Sequence, residues 1–195
     1  MISRRNWIAV LVLCVAAFWS FGPSFTTDVA GGAAHATVSL EVDLSTRQLS
    51  VMEDGSVTET YPVAIGKPSY PTPEGAFEIR RIIWNPKWVP PDSEWAKKKK
   101  ETPPGDPANP MGKVKIFFSE PDYYIHGTRE TDSLGEAESH GCLRMRNSDV
   151  VALARKVMAA GGTPVSQSWV RRVLNRIRST REVRLSDPVT ITIRS

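Results

Sequence analysis

The sequence predicts a mostly β domain with a few helices, an α+β fold. Three observations predict it. Apolar and polar residues alternate through several short runs between residues 37 and 83. Glycine and proline turns separate those runs. Helical periodicity appears only after Asn147. The 195 residues, 41% hydrophobic and 24% charged with six Trp, suffice for one domain plus an appendage and exclude a disordered chain.

The elements follow in order. "TVSLEVDL" (37–44) and "RQLSVME" (47–53) each alternate like half-buried strands. Asp54-Gly55 supplies a tight turn, and "VTETYPVAIG" (57–66) resumes the alternation, so a meander is expected. "GAFEIRRII" (75–83) is the next strand, entered through the stiff "YPTPEG". The texture then changes. Trp84 to Gly112 holds seven Pro, three Trp and the lysine run 97–100. Proline removes donors and fixes φ, so no central strand runs here. "DSEWAKKKK" is expected as a short helix capped by Asp92 or Ser93, within a lid or a packed excursion. "KVKIFF" (113–118) and "DYYIHG" (122–127) return to strand texture.

From Asn147 the period becomes helical, with Val150, Leu153, Val157 and Met158 on one stripe. Asn147 or Ser148 is the expected N-cap and Gly161-Gly162 the stop. A second amphipathic helix, 166–179, turns Trp169, Val173, Leu174 and Ile177 inward. "EVRLSDPVTITI" (182–193) reads as a hairpin-like pair of short strands. The expected organisation is a leader and linker (1–36), a main domain (37–165, with the insert 84–112), and a basic helix with closing strands (166–195) packed on it.

The N-terminus reads as an export signal or anchor. Arg4 and Arg5 precede fourteen uncharged residues, Ile8 to Phe21, a run shorter than the ~20 residues of a comfortable membrane span. A periplasmic or cell-envelope location is therefore expected, with anchoring through residues 8–21 or cleavage near "AHA" (34–36) left open. Cys14 reads as apolar filler and His35 as part of the linker. From Ser148 onward nine Arg and Lys oppose three acids, which suits an anionic partner or simply a solvated face.

Outside the cytoplasm thiols pair, yet Cys142 has no partner once Cys14 is set aside. It stands in "SHGC", with His126 at the end of a strand sixteen positions earlier. A thiol becomes a nucleophile as its thiolate, favoured by an imidazole and by main-chain N–H groups, which Gly141 lets converge. A helix starting just after the turn would add its dipole. Base, nucleophile and oxyanion site make the minimum set for acyl transfer. A zinc site from His126, His140 and Cys142, or a structural cysteine, stays open at this level.

The run His126, polar spacer, Ser139-His140-Gly141-Cys142-Leu143-Arg144-Met145-Arg146-Asn147 resembles the signature of the L,D-transpeptidase (YkuD-type) catalytic domain. "VSLEVDLSTRQLSV", "VAIGKPSYPTPEGAFEI" and "GDPANPMG" extend the resemblance across about 37–165. It implies a β-sandwich catalytic domain with C-terminal helices and short strands. It implies Cys142 as the nucleophile on a peptidoglycan stem tetrapeptide and His126 as the base, its ring oriented by the Gly127 carbonyl. Main-chain N–H groups at Gly141 and Cys142 would hold the oxyanion. Ser139 and His140 would shape the site, and Arg144 would contact a substrate carboxylate or brace the turn. An acceptor amine would then form a 3-to-3 crosslink. Water (an L,D-carboxypeptidase or endopeptidase) or a protein amine are the alternative acceptors. The implied partner is a stem peptide, not nucleic acid. No metal or cofactor is implied, and carbapenems are the implied inactivators.

Overall fold

The computed structural model describes residues 37–176 and 178–195. The leader, with its candidate anchor at 8–21, lies outside them, and so does Ile177. Among the described residues no helix is long and apolar enough to cross a membrane.

Alternation becomes strands as expected. β1 (Val38–Asp43), β2 (Gln48–Glu53) and β3 (Ser56–Pro62) form an antiparallel meander. Asp54 and Gly55 both take positive φ, 49° and 77°, as a two-residue hairpin turn demands. A short β4 (Ile65–Gly66) follows, then β5 (Gly75–Trp84), β6 (Val114–Ser119) and β7 (Tyr123–Thr128). β8 (Ala137–Ser139), β9 (Leu143–Arg146), α1 (Asn147–Ala160), α2 (Gln167–Asn175) and β10 (Arg181–Arg194) complete the order. Eight strands make one mixed sheet, β3-β2-β1-β10-β5-β6-β7-β9, and β4 pairs with β8 in a small second sheet.

Among the described residues the fold is mostly β with two α-helices, as the sequence predicts, but its end differs. The expected pair of closing strands is a single strand, β10. It runs parallel to β1 and antiparallel to β5, in the middle of the large sheet. Ser186-Asp187-Pro188, which reads as a turn, is a bulge where the register shifts between Arg184 and Val189. The extra residues are not left unsatisfied: the N–H groups of Ser186 and Asp187 both donate to the Gly161 carbonyl, at 2.9 and 3.2 Å.

The core lies between the sheet and α1. Leu40, Val42, Ile82, Ile116, Ile125 and Met145 from the strands meet Val150, Leu153, Ala154, Val157 and Met158 of the helix, all buried. α2 docks through Val170, the buried member of its face, while Trp169, Val173 and Leu174 are half-buried. Trp169 stands edge-on to the fully buried Trp84, ring centroids 5.5 Å apart. The lysine-rich stretch of the insert forms consecutive turns rather than a helix. The insert is packed: Trp88, Ala96, Asn109 and Met111 are buried, and Asn109 Nδ2 donates to the carbonyls of Pro86 and Pro103.

Candidate active site

β7 and β9 lie side by side and parallel, with His126 opposite Arg144 in register. This pairing brings the two halves of the sequence motif together. His126 is buried on β7. Its Nδ1 lies 2.9 Å from the Gly127 carbonyl, which can only accept, so Nδ1 carries the proton and Nε2 the lone pair. Burial is the main cause that holds this imidazole down at about 3, helped by the positive charge of Arg144 and Lys115. His126 is therefore neutral and able to accept a proton.

Cys142 is half-buried at the entry to β9. Its Sγ–H donates to the Asp122 carbonyl at 3.2 Å. Burial pushes the thiol up to about 11, against the pull of the Tyr124 N–H and hydroxyl, Lys115 and Arg144. The resting pair is thus thiol and imidazole, not an ion pair.

Ser139 builds the turn between them. Its Oγ accepts the Gly141 N–H at 3.0 Å and donates to the Cys142 carbonyl at 2.6 Å. Gly141 takes φ +103°, and a Cβ there would lie 2.7 Å from the Tyr123 ring. The turn corrects one expectation: the Gly141 N–H is committed to Ser139, so it does not point at an oxyanion. A second correction concerns the dipole. The four-residue β9 separates Cys142 from α1, so the helix N-terminus is not at the sulfur.

Cys142, His126, His140, Ser139 and Arg144 line one cleft of about 1210 Å³. Its other wall is the Pro/Trp-rich insert, from Lys87 to Met111. Trp95 of the insert stacks on His140, ring centroids 4.0 Å apart and 17° from parallel, and Tyr70 sits 4.9 Å from the same imidazole. Burial holds His140 below its ordinary value. Residues 37–190 match the L,D-transpeptidase catalytic domain family, YkuD. The chain belongs to that family.

Curated relatives carry L,D-transpeptidase names. YqjB of Bacillus subtilis is 36% identical over 121 residues, 60% of this chain and 64% of its own. YkuD of Bacillus licheniformis is 35% identical over 127 residues, 65% and 63%. The chain thus spans a little under two thirds of their length. Among solved structures, the catalytic domain of an Enterococcus faecium L,D-transpeptidase superposes with a TM-score of 0.51 at 16% identity. That match covers 83% of this chain and 99% of the other, and it supports the fold.

In this L,D-transpeptidase-family domain the remaining motif residues hold the frame. Arg144 pairs with Glu130 at 2.9 Å, and its main chain bridges Ala64 in both directions. Asn147, the expected helix cap, is not one. Its Oδ1 accepts the Lys113 N–H and its Nδ2 donates to the Thr128 carbonyl, both at 2.9 Å. It ties the end of the insert to the end of β7. The polar spacer between His126 and Ser139 contains a 3-10 turn at Thr131–Ser133 and runs into β8. Among the described residues no three His, Cys, Asp or Glu side chains gather as metal ligands, so the zinc reading of His126, His140 and Cys142 finds no support. Away from the cleft, Arg172, Arg176 and Arg181 of the basic C-terminal region line a smaller pocket of about 330 Å³ beside Trp169.

Three cleft residues escaped the sequence reading. Tyr124 reaches Cys142, Trp95 covers His140, and Lys115 is buried in the wall of the same cleft as both catalytic candidates. For Lys115 a signal existed. It is the one charged residue inside "VKIFF", opposite His126 in the β6–β7 ladder.

Proposed function

We propose that this domain is a peptidoglycan L,D-transpeptidase in which Cys142 is the nucleophile and His126 the base. The observation that carries the reading is the shared cleft. A neutral imidazole with Nε2 open to accept, and a thiol flanked by thiolate-favouring donors, both face into it. His126 Nε2 takes the Sγ proton as the sulfur adds to the carbonyl carbon of the third residue of a stem tetrapeptide. The C–N bond breaks, and His126 returns the proton to the departing D-Ala amine, leaving a thioester. An acceptor amine then attacks the thioester carbonyl, giving the 3-to-3 crosslink and restoring the thiol. With the Gly141 N–H held by Ser139, the oxyanion falls to the main-chain N–H of Cys142 itself in this reading. The Trp95–His140 stack and the proline-rich wall form the donor side of the cleft. Export of the chain to the envelope, by the segment 1–36, supplies access to the polymer.

The test is to incubate the protein with disaccharide-tetrapeptide and analyse the products by mass spectrometry. Dimers are expected. Tripeptide alone would replace crosslinking with carboxypeptidase action. Turnover undiminished in Cys142→Ala would end the reading. A carbapenem is expected to add its full mass to the wild-type protein and nothing to Cys142→Ala.

A further inference from the structure

Lys115 is 9% exposed, yet among the described residues no carboxylate pairs with it. Burying an unpaired ammonium is unfavourable, and structural lysines avoid it. Its Nζ lies 4.1 Å from the centre of the Tyr124 ring and 6.0 Å from that of Phe117, in cation–π contact, and the residue also lines the cleft. The charged and titratable groups around it are Arg81 from β5, Tyr124 and His126 from β7, and Cys142 and Arg144 at β9. Of these, Arg81 and Arg144 are cations and His126 is neutral. Arg81 already holds Glu120 and Glu182, and Arg144 holds Glu130. The Asp122 carboxylate lines the same cleft and acts on Tyr124, and Cys142 is the group beside Lys115 whose negative charge appears only when the sulfur gives up its proton. Tyr124, whose hydroxyl faces the same sulfur, is driven well above the ordinary phenol range by burial.

We infer that Lys115 is the counter-ion of the Cys142 thiolate, a cation set in the wall of the same cleft to be neutralised only when the sulfur ionises. The inference rests on the reading of Cys142 as nucleophile. Lys115 keeps its three protons throughout. The Sγ proton goes to His126 Nε2, and the new thiolate sits beside a positive charge and the Tyr124 hydroxyl. Thioester formation removes the negative charge again, so the ammonium favours the attacking state over both resting states. Burial lowers Lys115 to about 8, while a thiolate raises it, which is the reciprocal of its effect on the sulfur. Lys115 would thus lose its charge, and its effect, in mildly alkaline solution.

The experiment uses the full chain in a Cys14→Ser background, so that Cys142 is the only thiol. Its rate of alkylation by iodoacetamide is followed from pH 6 to 10.5 in the parent, Lys115→Met and Lys115→Arg. Methionine matches the buried stem without the charge, and arginine keeps the charge. The expected result is a rate about tenfold lower in Lys115→Met at pH 7, a pKa displacement of about one unit, with Lys115→Arg within threefold of the parent. Thermal melting is expected to show Lys115→Met at least as stable as the parent, since a buried unpaired charge has gone. That separates lost reactivity from lost structure. An unchanged alkylation profile in a folded Lys115→Met protein would overturn the inference, and so would equal losses in the methionine and arginine variants. Turnover in Cys142→Ala, by contrast, would sink the nucleophile reading and leave the alkylation result standing.

Discussion

Ser139 and Cys142 are joined by a short hydrogen bond, Oγ to carbonyl at 2.6 Å, across the turn that presents the thiol. The same hydroxyl holds the Gly141 N–H. Through these two bonds it fixes the main chain at the sulfur. Ser139→Ala is expected to lower kcat at least tenfold with KM changed less than threefold, because it releases the turn and not the substrate. Stability should fall by about 1–3 kcal/mol, the cost of stranding a buried donor. Ser139→Thr is expected to recover part of the rate. Steady-state kinetics and urea melts check both.

The buried, neutral His126 makes the fold acid-sensitive. In the unfolded chain its imidazole binds a proton below its ordinary 6.5, and in the folded protein only near 3. The unfolded state therefore holds more protons in that window, and its contribution to stability, complete above 6.5, is lost as pH falls toward 3. The expected slope is about 1.4 kcal/mol per pH unit from this group. Urea midpoints at pH 7, 5.5 and 4 should show it in the wild type, and a folded His126→Gln protein should lose it.

Gly127 has no room for a side chain. A Cβ there would lie 2.3 Å from Asn147 Oδ1, and one at Gly112 would meet the same oxygen at 2.3 Å. Both glycines let Asn147 reach Lys113 and Thr128. Gly127→Ala is expected to destabilise the domain by about 2 kcal/mol or more and to abolish turnover. Asn147→Ala should cost about 1–3 kcal/mol through two lost hydrogen bonds. In the double variant the losses should be clearly less than additive, since the clash goes with the oxygen.

Trp95 touches the site from the insert alone. Trp95→Ala removes the ring stacked on His140 and one wall of the cleft. KM for the tetrapeptide is expected to rise about fivefold, with kcat within threefold and the alkylation rate of Cys142 unchanged. A pure kcat loss would place Trp95 in the chemistry instead.

The meander was legible because each strand buries one face, and alternation encodes that directly. The motif residues were legible because their types and order carry the chemistry. What escaped was set by contacts distant in sequence. Asn147 looks like a helix cap, the usual use of asparagine before a helical run, and only the approach of Lys113 and Thr128 makes it a tie. Ser186-Asp187-Pro188 looks like a turn until Gly161 supplies the acceptor that turns it into a bulge. The lysine run looks like a helix, but the prolines around it pack the segment as turns against the cleft. Lys115 sat in plain view inside an apolar strand, and its meaning depended on which strand came next to it.

The placement of β10 has a consequence for how the chain is made. It is the last strand in sequence, and it alone joins the β3-β2-β1 meander to the β5-β6-β7-β9 half of the sheet. Until residues 181–194 are in place, the inner edges of the two halves, β1 and β5, lack the strand that lies between them. The cleft, lined by the insert, β6, β7 and the turn before β9, draws no residue from that strand, so the sheet's seam and the thiol's surroundings are built from separate parts of the chain.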